Sequence, residues 1–128
     1  MLQKILVVDD DDESREILAA LLEEKYEIIH ARDGREAIGI LAIQMGTIEA
    51  VLLDLVMPNL DGFGFLKEIR KKKWKASFPI IVVSGNDDVE NRELCKKSGI
   101  EYFITKPYTA KEAKKIIGEA IANNKAKG

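Results

Sequence analysis

Three carboxylates, a hydroxyl and an ammonium follow short apolar runs in this sequence: Asp9-Asp10 after "ILVV", Asp54 after "AVLL", Ser84 after "IIVV" and Lys106 after "YFIT". If the fold brings the run ends together, the carboxylates crowd one rim. Two unit charges ~4 Å apart cost about 4 kcal/mol at an intermediate effective dielectric. Raised pKa values or a bound cation would relieve the repulsion. A hard divalent ion suits the cluster: Mg²⁺ takes one or two carboxylates together with waters and phosphate oxygens. No His or Cys joins the set, which points to the same oxygen-loving class, with Mn²⁺ as a substitute. Ser84 could donate a hydrogen bond to an incoming group. Lys106 is a mobile point charge, able to pair with Asp54 or with a phosphoryl group. A carboxylate placed beside such a metal can attack phosphorus and become an acyl phosphate.

The elements that must position these residues alternate regularly. Ile5–Val8 reads as a strand. Ser14–Lys25 reads as a helix with Ile17, Leu18, Leu21 and Leu22 on one face, capped by Asp11 or Asp12. Glu27–His30 is a second strand, and Glu36–Gln44 a second helix with Ala37, Ile38, Leu41 and Ala42 inward. Ala50–Leu53 is the third strand. Asp61-Gly62 turns into a third helix carrying Phe63, Phe65, Leu66 and Ile69. Ile80–Val83, Val89–Lys97, Tyr102–Ile104 and Ala110–Ala122 complete the series, with Val89, Leu94 and Cys95 as the few apolar anchors of the fourth helix. The last helix carries Ala113, Ile116, Ile117, Ala120 and Ile121 on one stripe, and residues 123–128 read as a frayed, flexible tail. Such alternation argues an α/β fold: a parallel sheet with helices on both faces. The strand runs lack in–out alternation, as expected when both faces are buried. In open sheets of this kind the ligand site lies outside the carboxyl ends of the strands, where Asp9, Asp10, Asp54, Ser84 and Lys106 fall.

At 128 residues, 46% hydrophobic and 33% charged, the chain suits one core and one domain. A net charge of −2 exerts no general pull on nucleic acid and favours no anionic membrane. No apolar run reaches spanning length, and the N-terminus does not read as a secretion signal. The single Cys95 cannot form an internal disulfide, so a reducing, cytoplasmic setting is expected.

The stretches "ILVVDDD", "VLLDLVMPNLDGF", "PIIVVSG" and "GIEYFITKPYT" resemble the receiver domain of two-component response regulators, in the right order and at the right strand ends. The resemblance covers about residues 3–122, with the domain taken as 1–122. It implies a doubly wound, flavodoxin-like sheet of five strands in the order 2-1-3-4-5. It implies Asp54 as phosphoacceptor, and Asp9 and Asp10 as the acidic pair for Mg²⁺, Asp10 direct and Asp9 often through water. The Val56 carbonyl is the third protein ligand by the same resemblance, Lys106 the phosphate-binding lysine, and Lys106-Pro107 a cis bond. Ser84 and Phe103 become the coupled switch pair. The donor would be a histidine kinase or histidine phosphotransfer protein. The output partner is unspecified, with no direct nucleic acid or membrane binding, and the chain is a monomer or a weak dimer through the helix 4–strand 5–helix 5 face. The domain would be a switch that assists its own phosphorylation and slow dephosphorylation, not a metabolic enzyme.

Plainer readings stand beside these. Asp54 alone could be a turn residue, Ser84 an ordinary Ser-Gly turn, Lys106 a surface lysine and Phe103 a core aromatic. His30 reads as a surface residue and Cys95 as packing. The lysines of "KKKWKASF" read as a solvated helix end. A haloacid-dehalogenase-like phosphohydrolase also uses a strand-end Asp, but wants a second Asp where this chain has Val56. A degenerate receiver that only binds partners would not need the full set of acids, hydroxyl and lysine.

Overall fold

In the computed structural model, which describes residues 2–55, 61–74, 77–85 and 89–127, the apolar runs form one five-stranded sheet. The strands are β1 (Gln3–Val8), β2 (Tyr26–Ala31), β3 (Ile48–Asp54), β4 (Ile80–Gly85) and β5 (Tyr102–Lys106). Every neighbouring pair is parallel, in the order β2-β1-β3-β4-β5 that the resemblance implied. Five helices connect and flank them: α1 (Asp12–Leu22), α2 (Gly34–Gln44), α3 (Gly62–Lys71), α4 (Val89–Lys97) and α5 (Ala110–Lys127). A short 3₁₀ turn, Met45–Thr47, leads into β3.

Alternate strand residues point to opposite faces, and this sorts the core into two layers. Leu6, Val8, Val51, Leu53, Ile80 and Val82 pack with Ala37 and Leu41 of α2, Phe65 and Ile69 of α3, and Cys95 of α4. Ile5, Val7, Ala50, Leu52, Ile81, Val83 and Ile104 pack with Leu18 and Leu22 of α1 and with Ala113, Ile117, Ala120 and Ile121 of α5. Residue 49 sits at a register shift: Lys4 faces Ile48, while Ile5 faces Ala50. That extra residue puts Ile48 and Ala50 in different layers.

Several elements differ from their expected extents. β1 and β3 begin earlier, and β3, β4 and β5 run on through Asp54, Gly85 and Lys106. Parallel pairing needs backbone only, so Ser84 and Gly85 stay in register with Thr105 and Lys106 beyond the apolar runs. Helix α1 starts at Asp12 because the Asp11 side chain accepts from Glu13 N–H. Its inward stripe is Arg15, Leu18 and Leu22; Ile17, expected inward, is 52% exposed. Ala42 of α2 is likewise exposed, being about 100° around the helix from buried Leu41. Val89 and Leu94 of α4 are exposed too, which leaves Cys95 as that helix's buried residue. Helix α5 continues past Ala122 to Lys127. Asn123 and Asn124 are weak helix formers, but no Gly or Pro interrupts before Gly128. Asn123 Nδ2 also donates to Tyr102 Oη at 2.7 Å, and Lys125 pairs with Glu49 at 3.5 Å.

Helices α3 and α4 end alike. Trp74 N–H donates to Ile69 C=O and Ile100 N–H to Cys95 C=O, the six-to-one closure of a Schellman turn. The left-handed residue is Gly99 (φ 91°) after α4, but Lys73 (φ 63°) after α3. Lys71, Lys72 and Lys73 are exposed, and the Lys72 ammonium lies 5.3 Å from the centre of the half-buried Trp74 ring.

Candidate functional site

The chain leaves β1 toward β2 but leaves the adjacent β3 toward β4, in opposite directions, so a crevice opens at the carboxyl ends of β1 and β3. The acids stand there. Asp9 follows β1 directly and its N–H donates to Ala31 C=O at 3.1 Å. Asp54 is the last residue of β3. One carboxylate oxygen from each of Asp9, Asp10 and Asp54 lies within 4.8 Å of the others. Asp9 is buried, Asp54 half-buried and Asp10 exposed.

Crowding and burial have the expected electrostatic result. Asp9 is 8% exposed, and its carboxyl is pushed up from 3.8 to about 6. Burial is the main cause, and the charge and hydrogen bonding of Asp54 add to it. The Asp11 N–H, which donates to Asp9 Oδ1 at 3.0 Å, and the Lys106 ammonium pull the other way. Asp11 itself is held below the usual carboxylate range, chiefly by the Ser14 hydroxyl that donates to it at 2.8 Å. The same Asp11 caps α1, so it serves the helix start and not the cluster.

Ser84 and Lys106 arrive from the other half of the sheet. Ser84 is 5% exposed, and its Oγ is a buried side-chain oxygen without a hydrogen-bond partner among the described residues. Lys106, last in β5, is exposed, and the Lys106-Pro107 peptide is cis. Phe103 is half-buried against the layer that contains Cys95, in register with Val82. Its neighbour on the same face, Thr105, is in register with Ser84 and accepts a long 3.4 Å hydrogen bond from Arg92 of α4. Val56 lies outside the described residues. His30 is exposed and Cys95 buried, as their plain readings had it.

A cavity of about 310 Å³ beside the acids is lined by Asp9, Asp54 and Lys106, by Ile17, Leu18 and Leu21 of α1, and by Pro107 and Tyr108. Burial, and secondarily the Asp9 charge, raise the Tyr108 phenol above its usual value.

Three features escaped the sequence reading. Gly62 begins α3 so close to β3 that a Cβ there would lie 2.4 Å from Leu55 Cα and 2.8 Å from Asp54 O. Its N–H donates to Leu55 C=O at 2.9 Å, which pins the start of α3 beside the acid. Tyr108 forms part of the cavity wall. Arg15, 6% exposed, sits under the loop that carries Asp9 and Asp10. Its signal was available, as an arginine three and seven residues before Leu18 and Leu22 lies on their stripe.

Comparison with known proteins agrees with this geometry. The profile of the family described as "Response regulator receiver domain" matches residues 5–118. The "Probable transcriptional regulator ycf27" of Porphyridium aerugineum is 39% identical over 111 residues, which is 86% of this chain and 44% of that protein. The "Uncharacterized transcriptional regulatory protein YcbL" of Bacillus subtilis is 35% identical over 117 residues, 91% of this chain and 50% of that one. The chain thus spans half or less of the length of these relatives. Among solved structures, a response regulator receiver domain protein from Clostridium thermocellum superposes with a TM-score of 0.88 at 32% identity, covering 99% of this chain and 100% of that one. The Vibrio cholerae chemotaxis protein CheY4 gives 0.81 at 26% identity, covering 94% and 99%. With the sheet order, the acidic crevice and the family profile in agreement, this chain belongs to the receiver domains of two-component response regulators.

Proposed function

We propose that the domain is a phosphorylation-activated switch in which Asp54 accepts a phosphoryl group from the phosphohistidine of a histidine kinase or phosphotransfer protein. The observation that carries this is the pairing of a crowded acidic rim with a buried hydroxyl that has no partner among the described residues. Burying an oxygen without a partner costs about 1–3 kcal/mol, a cost that makes sense if Ser84 Oγ gains its partner in a second state. The donor set fits Mg²⁺: three carboxylates with oxygens within 4.8 Å and no nitrogen or sulfur ligand. Asp10 and Asp54 would hold the ion directly and Asp9 in part through water. Bound there, the ion would neutralise developing charge on the phosphoryl oxygens.

The remaining work falls to the chain itself. An Asp54 oxygen attacks phosphorus; the O–P bond forms as the P–N bond of the donor breaks, and its electron pair stays on the imidazole nitrogen. The Lys106 ammonium balances the added negative charge, and Ser84 donates its hydroxyl to a phosphoryl oxygen. Ser84 moving toward that group leaves room for Phe103 to turn inward, and the face made by α4, β5 and α5 changes for an output partner or a second copy of the chain. Water slowly reverses the modification, so the domain acts as a timer and not as a metabolic enzyme. We place it in the cytoplasm, where Cys95 stays a packed thiol.

Incubation with acetyl phosphate and Mg²⁺, followed by intact-mass measurement, tests the assignment. One phosphoryl adduct is expected in the wild type and none in Asp54→Ala. A full adduct on Asp54→Ala, or unchanged labelling in excess chelator, would overturn it.

A further inference from the structure

Among the described residues, Arg15 is the buried cation that the proposed chemistry leaves without a task. Its position is unusual for a helix arginine. It occupies the inward stripe of α1 with Leu18 and Leu22, and its Nε donates to the backbone carbonyl of Asp9 at 2.8 Å. Its Nη2 pairs with Asp12 Oδ1. Burying a guanidinium is costly unless its donors are used, and here they are spent on the β1–α1 connection.

That connection is the segment that carries Asp9 and Asp10. Asp9 is held at three points. Its N–H donates to Ala31 C=O on β2, its Oδ1 accepts from Asp11 N–H, and its C=O accepts from Arg15. The first two are supplied by backbone and would be available to many sequences. The third exists only because residue 15 has a donor that can reach back six residues. Without it the Asp9 carbonyl would be a buried acceptor with a partner removed, and the peptide joining Asp9 to Asp10 would be free to rotate. That peptide sets the direction in which Asp10 leaves the strand.

The choice of partner matters as much as the bond. Arg15 reaches a carbonyl and not the carboxylates, so it does not use up the acidic set. Asp12, 75% exposed at its side chain, supplies the compensating charge on the guanidinium's other end. The pair is electrically neutral as a unit, and the crevice keeps the negative charge that attracts a cation.

We infer that Arg15 is a positioning residue for the divalent-cation site: through its Nε bond to the Asp9 carbonyl it fixes the Asp9–Asp10 peptide, while Asp12 keeps its charge out of the cluster. This rests on the cation-assisted phosphoacceptor reading given above. The role belongs to the donor atom and not to the positive charge, and two substitutions separate these. Arg15→Gln carries an N–H₂ donor at the same number of bonds from Cα as the arginine Nε, without the charge. Arg15→Met keeps a stem of similar length with neither donor nor charge.

The test is Mn²⁺ binding to the purified chain, followed by the paramagnetic signal of free Mn²⁺, with thermal unfolding recorded for each protein. Removing a hydrogen bond that orients a metal ligand typically costs 10–100-fold in affinity. Arg15→Met should therefore bind at least tenfold more weakly than the wild type, and Arg15→Gln within about threefold of it. Arg15→Met binding like the wild type would overturn the inference while leaving the phosphoacceptor reading intact. Equal weakening in both variants would assign the effect to charge and also overturn it. If Arg15→Met does not fold, Arg15→Leu, which also lacks donor and charge, takes its place in the comparison, and a tenfold loss in folded Arg15→Gln refutes the positioning role in either case. Absence of Mn²⁺ binding in the wild type would refute the cation site itself, and the inference with it.

Discussion

Asp9 shows how a single residue can be costly to the resting fold and useful to the site. Its carboxyl titrates near 6 where 3.8 is ordinary, first because it is buried and then because Asp54 stands beside it. A folded-state pKa raised above the unfolded value means that the stability contribution is fully present below the unfolded value and is lost as pH rises through about 6. In chelator, Asp9→Asn should therefore be more stable than the wild type near pH 7.5, by on the order of 1–3 kcal/mol. The gap should close toward pH 4. Asparagine keeps an oxygen for the Asp11 N–H, so little else is lost. Urea unfolding at the two pH values measures this, and equal stability at pH 7.5 would show that Asp9 is not strained by its charge. A divalent cation should reverse the order, since it favours the ionised wild type.

At the scale of elements, the two Schellman endings make a natural comparison. After α4 the left-handed position is Gly99, which carries no Cβ; after α3 it is Lys73, which does. A left-handed L-residue costs roughly 1–2 kcal/mol, less the entropy that glycine adds to the unfolded chain. Lys73→Gly should raise stability by about 0.5–1 kcal/mol, read as a higher urea midpoint with an unchanged slope. An unchanged or lower midpoint would mean that Lys73 is held by a compensating contact. This ending also shows why element existence was legible when element detail was not. The apolar runs Ile5–Val8 and Ile80–Val83 announce strands because both faces are buried. Which helix residues face inward depends on how each helix is rolled against the sheet. Hence Ile17 and Ala42 turned out exposed, and α4 came down to Cys95 as its buried residue. The position of Arg15 depends on the same roll. Asp9, Asp10, Asp54, Ser84 and Lys106 were readable because a parallel sheet delivers strand ends to one rim whatever the helices do.

For the molecule as a whole, the sheet separates two layers to which the proposed function gives different tasks. Val7, Leu52 and Val83 line the cavity together with Asp9, Asp54 and Lys106, on the side of α1 and α5. Ser84, Thr105 and Phe103 alternate to the other side, where α4 lies. Beryllofluoride, which mimics the phosphoryl group, should therefore shift amide NMR signals from Asp54 through β5 into α4. Smaller shifts are expected in α5, whose buried residues pack on the opposite face. In Ser84→Ala the shifts around Asp54 should persist and those in α4 should largely vanish. Shifts confined to the ligand's contacts in the wild type would refute this route.

The division into two layers has one more consequence. If the sheet separates chemistry from response, the two are joined only where a side chain can reach over its edge, and Ser84 stands at that point. On the proposed function the joint would behave like a clutch one residue wide. On that reading, packing around α1 could be retuned to make the domain sturdier or the modification longer-lived without disturbing the layer in which α4 lies. Conversely, α4 can acquire a new listener while the machinery that receives the signal stays as it is.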